Sequence, residues 1–170
     1  LVFIGPWDDD YKKKCQSYID KYKLKNISFL GFKSNPWECL TDKDICVFTS
    51  AQETFGLVYV EAILKGLPVI ISDNLGHKTA YDIFEIGSMY HLGDIDELTD
   101  MIKSMLDNQE TIYGQASQDK AKAKQLYSVE TTYKEIIEKI KNQDLSTLET
   151  PLRHISDLIT VNTEPTKLER

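Results

Sequence analysis

Apolar residues fall into short runs, separated by longer stretches in which they recur every three or four positions. The runs are Leu1-Val2-Phe3-Ile4, Ile27-Ser28-Phe29-Leu30, Ile45-Cys46-Val47-Phe48 and Pro68-Val69-Ile70-Ile71. Each is too short for a helix, rich in β-branched or aromatic residues and not cleanly alternating. Such runs predict parallel strands buried on both faces. Residues 9–23 carry Tyr11, Cys15, Tyr18, Ile19 and Tyr22 at helical spacing, with lysines on the other side. A short helix is expected over 35–41, with Pro36 near its first turn. A longer one is expected over 56–65, stopped by Gly66. Strand alternating with helix predicts right-handed crossovers and one parallel, Rossmann-like sheet flanked by helices, an α/β fold. Gly5, Gly31, Ser50 and Ser72 or Asp73 close the four strands. Ligands of such sheets bind outside the carboxyl ends of the strands, so the loops after residues 4, 30, 48 and 71 should share a rim.

Beyond residue 73 the pattern is mostly helical. Helices are expected over 76–86, 94–107, 109–127 and 129–142, with a last short strand at Met89-Tyr90-His91-Leu92. Asp94 followed by Glu97 is a capping-box arrangement with Asp in place of Ser. Residues 142–150 read as a linker. Residues 150–160 present Leu152, Ile155, Leu158 and Ile159 on one face, and a loose tail follows. The chain thus divides into a domain over 1–142 and an appendage over 143–170.

Composition narrows the function. The chain has 170 residues, 41% hydrophobic and 28% charged, enough for one soluble domain with its own core. A net charge of -7 is the wrong sign for a nucleic-acid binder and weighs against docking on anionic lipid. Cys15, Cys39 and Cys46 are odd in number and lack Cys-x-x-Cys or histidine partners, so neither a disulfide framework nor a metal site is expected. No apolar stretch approaches the roughly 20 residues that span a bilayer, and no signal peptide is visible. A cytoplasmic location follows. The chain starts inside a strand pattern without an initiator Met, so it reads as a piece of a longer protein that lacks its first strand.

The informative stretch runs from Ser50 to Ala62. A strand ends, a loop carries Glu53, Thr54 and Phe55, and a helix starts near Gly56. A helix that starts at glycine exposes free N–H groups and the positive end of its dipole, where phosphates bind. Glu61 lies about a turn and a half into that helix. Two carboxylates beside one anion site make sense if each accepts from hydroxyl groups. A nucleotide-sugar supplies phosphates for the amides, ribose hydroxyls for one Glu and hexose hydroxyls for the other. Thr54 either caps the helix or touches the ligand. His77, His91 and His154 read as structural or solvated, with His77 alone on the rim. Trp37 reads as a hydrophobic anchor.

Glu53, seven residues, then Glu61, with Phe55-Gly56 between and Gly66-x-Pro68-Val69 following, resembles the donor-domain motif of retaining glycosyltransferases of the two-Rossmann-domain (GT-B) fold, family 4 (group 1). The strand ending at Gly5, the strand ending at Gly31 and the stretch Asp44–Ser50 fit the same pattern, so the resemblance covers roughly residues 1–142. Gly31-Phe32-Lys33-Ser34-x-Pro36-Trp37 resembles the bacterial lipopolysaccharide and capsule galactosyltransferase branch. The resemblance implies that this chain is the C-terminal, donor-binding half of the fold. Glu61 would hold the ribose and Glu53 would act at the hexose near the reacting carbon. The amides of Phe55, Gly56, Leu57 and Val58 would meet sugar and diphosphate, Gly5 would line the cleft, and the base would lie against Gly31 and Phe32. The donor would be a UDP-hexose, the acceptor a bacterial surface glycan, and no metal or other cofactor would be needed. The acceptor domain, and a basic pair that neutralises the diphosphate, would lie upstream of residue 1. Contact with the inner membrane face, if any, would fall to that domain. Gly76-His77 stands where the family has Gly-Gly or Gly-Pro, and 86–93 is shortened. A non-catalytic nucleotide-sugar-binding subunit and a related epimerase or phosphorylase are the alternatives.

Overall fold

The apolar runs are strands in the structure, a computed structural model that describes residues 1–141. The expected linker and amphipathic helix beyond residue 142 lie outside the described residues. The chain divides into two compact units, Leu1–Asp44 and a second that begins at Ile45.

In the first unit, β1 (Val2–Phe3) pairs in parallel with β2 (Ser28–Phe29), Val2 opposite Ser28 and Phe3 opposite Phe29. The connection is α1 (Asp9–Tyr22). Asp8 caps it by accepting the Tyr11 N–H at 2.9 Å, and Asp9 and Asp10 place negative charge in its first turn. Trp7 meets the rings of Phe3 and Phe29 edge-on at 5.5 and 4.5 Å, and the two phenylalanines stack at 5.2 Å. Such pairs contribute about 0.5–1.5 kcal/mol each beyond their buried area. Two expectations change here. The tyrosines of α1 and the strand β1 are exposed, not buried, because two strands and one helix offer too little chain to cover both faces of either. The helix expected over 35–41 is a 3-10 turn at Pro36–Cys39.

The second unit holds β3 (Cys46–Phe48), β4 (Val69–Ser72) and β5 (Ser88–Tyr90), all parallel, in that order across the sheet. Cys46 faces Val69, and Ile70 faces Ser88. α2 (Leu57–Lys65) crosses from β3 to β4, and α3 (Leu75–Phe84) from β4 to β5. Then come α4 (Ile95–Asp107), α5 (Gln109–Leu126) and α6 (Val129–Lys141). Parallel strands with helical cover are what the alternating pattern predicts. The ladders are two, one in each unit, where the sequence suggested one sheet.

Every residue of β4 is buried, as its unbroken apolar run requires. Ile70, Tyr90 and Met105 centre the core, and Leu98, Met101 and Ile102 of α4 pack against them. Asp94 caps α4 through the Glu97 N–H at 2.9 Å. The return half of the box differs: the Glu97 carboxylate accepts the His91 N–H at 2.7 Å, while the Asp94 N–H goes to the His91 carbonyl. Ala116 and Ala123 are the buried residues of α5. Lys120 of α5 donates to the Lys65 carbonyl at 3.1 Å, a cation at the negative end of α2. Gly66, at φ 84°, ends α2 with its own N–H bonded back to Ala62 and Ile63. Among the described residues, no helix is long and apolar enough to cross a membrane.

Candidate functional site

Helix α2 is fixed from below. Tyr59, Val60, Ala62 and Ile63 are buried, and the Tyr59 hydroxyl donates to the Ile86 carbonyl at 2.7 Å. Burial pushes that phenol well above its ordinary range. Leu57, Val58 and Glu61, three and four residues apart, form the opposite stripe, and all three are exposed. Two apolar side chains and a carboxylate therefore stand together on the open side of the first two turns.

The amino end of α2, like that of α5, has no side-chain cap. α1, α3 and α4 each begin with an Asp or Asn side chain that accepts a first-turn N–H. At α2 the N-cap is Gly56, in the left-handed conformation (φ 75°, ψ 49°), and no side chain caps it. Helix geometry leaves the N–H groups of Leu57, Val58 and Tyr59 without an acceptor inside the helix, while the Gly56 carbonyl takes the Val60 N–H at 3.2 Å. Thr54, one of whose expected roles was to cap this helix, does not do so. It is exposed in the loop beside Glu53, and Phe55 is half-buried between them and the helix.

The loop is held against α3 by contacts that apolar periodicity did not reveal. Ser72 Oγ donates to the Ser50 carbonyl at 2.6 Å, and Asn74 Nδ2 donates to the same oxygen at 2.9 Å. Asn74 Oδ1 accepts the His77 N–H at 3.0 Å and so caps α3. Gly76 lies so close to the loop that a Cβ there would stand 2.2 Å from the Glu53 carbonyl oxygen. The His77 ring sits under Gly56, whose own added Cβ would come within 2.7 Å of His77 Cδ2. Asn74 is a standard N-cap residue just past a strand, a signal in the sequence that could have found it. The sequence marks Gly76-His77 only as a rim pair standing where the family pattern has Gly-Gly or Gly-Pro, not as packed against the loop.

Next to this network, Asp73 accepts the Leu92 N–H at 2.8 Å and pairs with Lys78 at 3.3 Å. The Leu92 amide, then Lys78, hold its carboxyl below the usual range.

Glu53, Thr54, Phe55, Gly56, Leu57, Val58 and Glu61 thus occupy one loop and helix end of the second unit. Gly5, Gly31 and Phe32 belong to the first, where the Gly5 N–H donates to the Gly31 carbonyl at 2.9 Å and Phe32 is exposed. Gly31 has φ 68°, a conformation that favours glycine. Gly5 also lines an open hollow of about 320 Å³ with Trp7 and Tyr11.

An uncapped helix end with two nearby carboxylates, on the carboxyl edge of a parallel sheet, is suited to a ligand that carries both phosphate and hydroxyls. Residues 1–125, well over half of the chain, match the family Glycosyl transferases group 1. The chain belongs to the group 1 glycosyl transferases. This transferase chain is 35% identical over 74 residues to an uncharacterized glycosyltransferase of Methanocaldococcus jannaschii, which covers 43% of the chain and 18% of that protein. Its structure is similar to that of Anabaena HepE in complex with UDP, with TM-score 0.70 and 28% identity, covering 83% of this chain and 40% of HepE. HepE in complex with UDP-glucose gives TM-score 0.68 and 29% identity over the same shares of the two chains. The group 1 chain therefore spans less than half the length of these relatives.

Proposed function

We propose that residues 1–142 form the donor-binding domain of a retaining, family 4 hexosyltransferase that uses a UDP-sugar to extend a bacterial surface glycan in the cytoplasm. The observation that carries this reading is the uncapped start of α2 at Gly56, beside the Glu53 loop and with Glu61 on its exposed stripe. Membership of group 1 supports it, as does the likeness to HepE, which is known in complex with UDP and UDP-glucose.

In the proposed reaction the nucleoside diphosphate departs and gains negative charge on its phosphate. The amides of Leu57, Val58 and Tyr59 and the helix dipole are already aimed at that charge, so they stabilise it without reorganising. Glu61 accepts from the ribose hydroxyls. Glu53 accepts from hexose hydroxyls and stabilises positive charge at the anomeric carbon. Phe55, Gly56 and Thr54 contact the sugar side of the diphosphate, Gly5 lines the cleft, and the base lies against Gly31 and Phe32. The acceptor glycan is held by a further domain of the same protein, and the transfer runs without a bound metal.

Calorimetry with UDP and UDP-glucose tests this assignment. Glu61→Gln is expected to weaken both ligands by about 1–3 kcal/mol, the worth of a hydrogen bond to a charged group. Glu53→Gln is expected to spare UDP and weaken UDP-glucose. Equal loss of UDP in both variants would overturn the division of roles, and no heat from either ligand with the unmodified protein would overturn the donor site.

A further inference from the structure

His77 is 1% exposed, yet among the described residues every hydrogen bond of its ring is made at one nitrogen. Nδ1 lies 2.8 Å from Asn74 Nδ2, 3.2 Å from Ser72 Oγ and 3.0 Å from the Ser72 carbonyl. The other edge of the ring points the opposite way. Cδ2 and Nε2 are the atoms that an added Cβ on Gly56 would meet, at 2.7 and 3.3 Å. Nε2 makes no hydrogen bond within the described residues and lies beside Gly56, at the uncapped amino end of α2.

We propose that His77 Nε2–H is a ligand-binding group, donating to an oxygen of the donor's diphosphate alongside the first-turn amides of α2. This rests on the donor-site reading above and adds to it a side chain from α3. Nδ1 can be satisfied in either neutral tautomer: its proton can go to the Ser72 carbonyl, or it can accept from Asn74 Nδ2. An anion at the helix end selects the second, because Nε2–H then gains a charged partner. Asn74 fixes the ring twice over, through its cap on the His77 N–H and through Nδ1.

The test separates anchoring from binding. An Asn side chain at 77 places its amide where Nδ1 now lies, whereas a Gln reaches the position of Nε2. His77→Asn is expected to melt close to the unmodified protein but bind UDP about tenfold more weakly. His77→Gln is expected to keep UDP affinity within about threefold even though it melts lower, a tenfold change corresponding to about 1.4 kcal/mol. Imidazole ¹⁵N spectra of the unmodified protein provide a second readout. UDP should drive the His77 ring to the Nε2–H form and leave His91 unchanged. Unmodified protein that binds UDP, with His77→Asn binding equally well or the His77 ring signals unmoved, overturns this inference alone. Failure of the unmodified protein to bind UDP overturns it together with the donor reading.

Discussion

Gly76→Ala is a single-methyl change that probes how closely α3 supports the Glu53 loop. The new Cβ would stand 2.2 Å from the Glu53 carbonyl oxygen, 2.5 Å from the carbonyl carbon and 2.8 Å from Glu53 Cβ. Ordinary contact begins at 3.4 Å, so the loop must retreat by about 1.2 Å, and two of the three opposing atoms are backbone. Overpacking of this kind costs about 1–3 kcal/mol, against a helix-propensity gain for alanine of about 1 kcal/mol. The net loss should be roughly 0–2 kcal/mol, a fall in Tm of up to a few degrees for a chain of this size. The displaced loop carries Glu53 and leads into Gly56, so UDP-glucose affinity should fall by about tenfold or more. Gly114→Ala is the matched control. Gly114 lies inside α5 with nothing within 4 Å of an added Cβ, so the same methyl should stabilise by about 0.5–1 kcal/mol. Calorimetric melting and ligand titration read both variants. If Gly76→Ala melts at or above the unmodified protein and binds UDP-glucose unchanged, the close approach of α3 to the loop is refuted.

Two further outcomes follow from single contacts. Tyr59→Phe removes the donor to the Ile86 carbonyl and should destabilise by about 1–3 kcal/mol, read in urea denaturation; a change below 0.5 kcal/mol would show that this carbonyl finds another partner. The Glu97 hydrogen bond at 2.9 Å, together with the charges of Glu97 and Asp73, raises the His91 pKa above its usual value. A raised folded pKa means that this pair's contribution is fully present below the unfolded value near 6.5 and is lost as pH rises through the folded one. Stability measured across that window should therefore fall more steeply with pH in the unmodified protein than in His91→Gln, and identical slopes would rule the linkage out.

Much of the fold was legible because parallel strands and amphipathic helices write themselves as apolar runs and apolar stripes. Pro68–Ile71 reads as a doubly buried strand and is one; Gly66 reads as a helix stop and adopts the left-handed conformation that a stop needs. Glu53, Gly56 and Glu61 were legible as a group because their spacing puts a loop, a helix start and a second turn in succession. What the pattern hid was polar and tertiary. Ser72, Asn74 and His77 bond to one another and to a backbone carbonyl twenty-odd residues away, and no periodicity encodes that. Gly76 matters for the backbone it faces across the loop, which sequence does not show. Thr54 looked like a cap because of its residue type, but Gly56, two residues on, takes the turn into the helix. The exposed tyrosines of α1 follow a helical stripe correctly, yet the first unit has too little chain to bury them.

The central claim is that ligand phosphate sits on the bare amino end of α2. Backbone ¹⁵N–¹H spectra recorded during a UDP titration test it most directly, because each amide reports separately. The account predicts that the largest shifts fall on Leu57, Val58 and Tyr59, with Gly56 and Glu61 next, and that they saturate together. Saturable UDP binding that leaves those amides unmoved while others shift would contradict it.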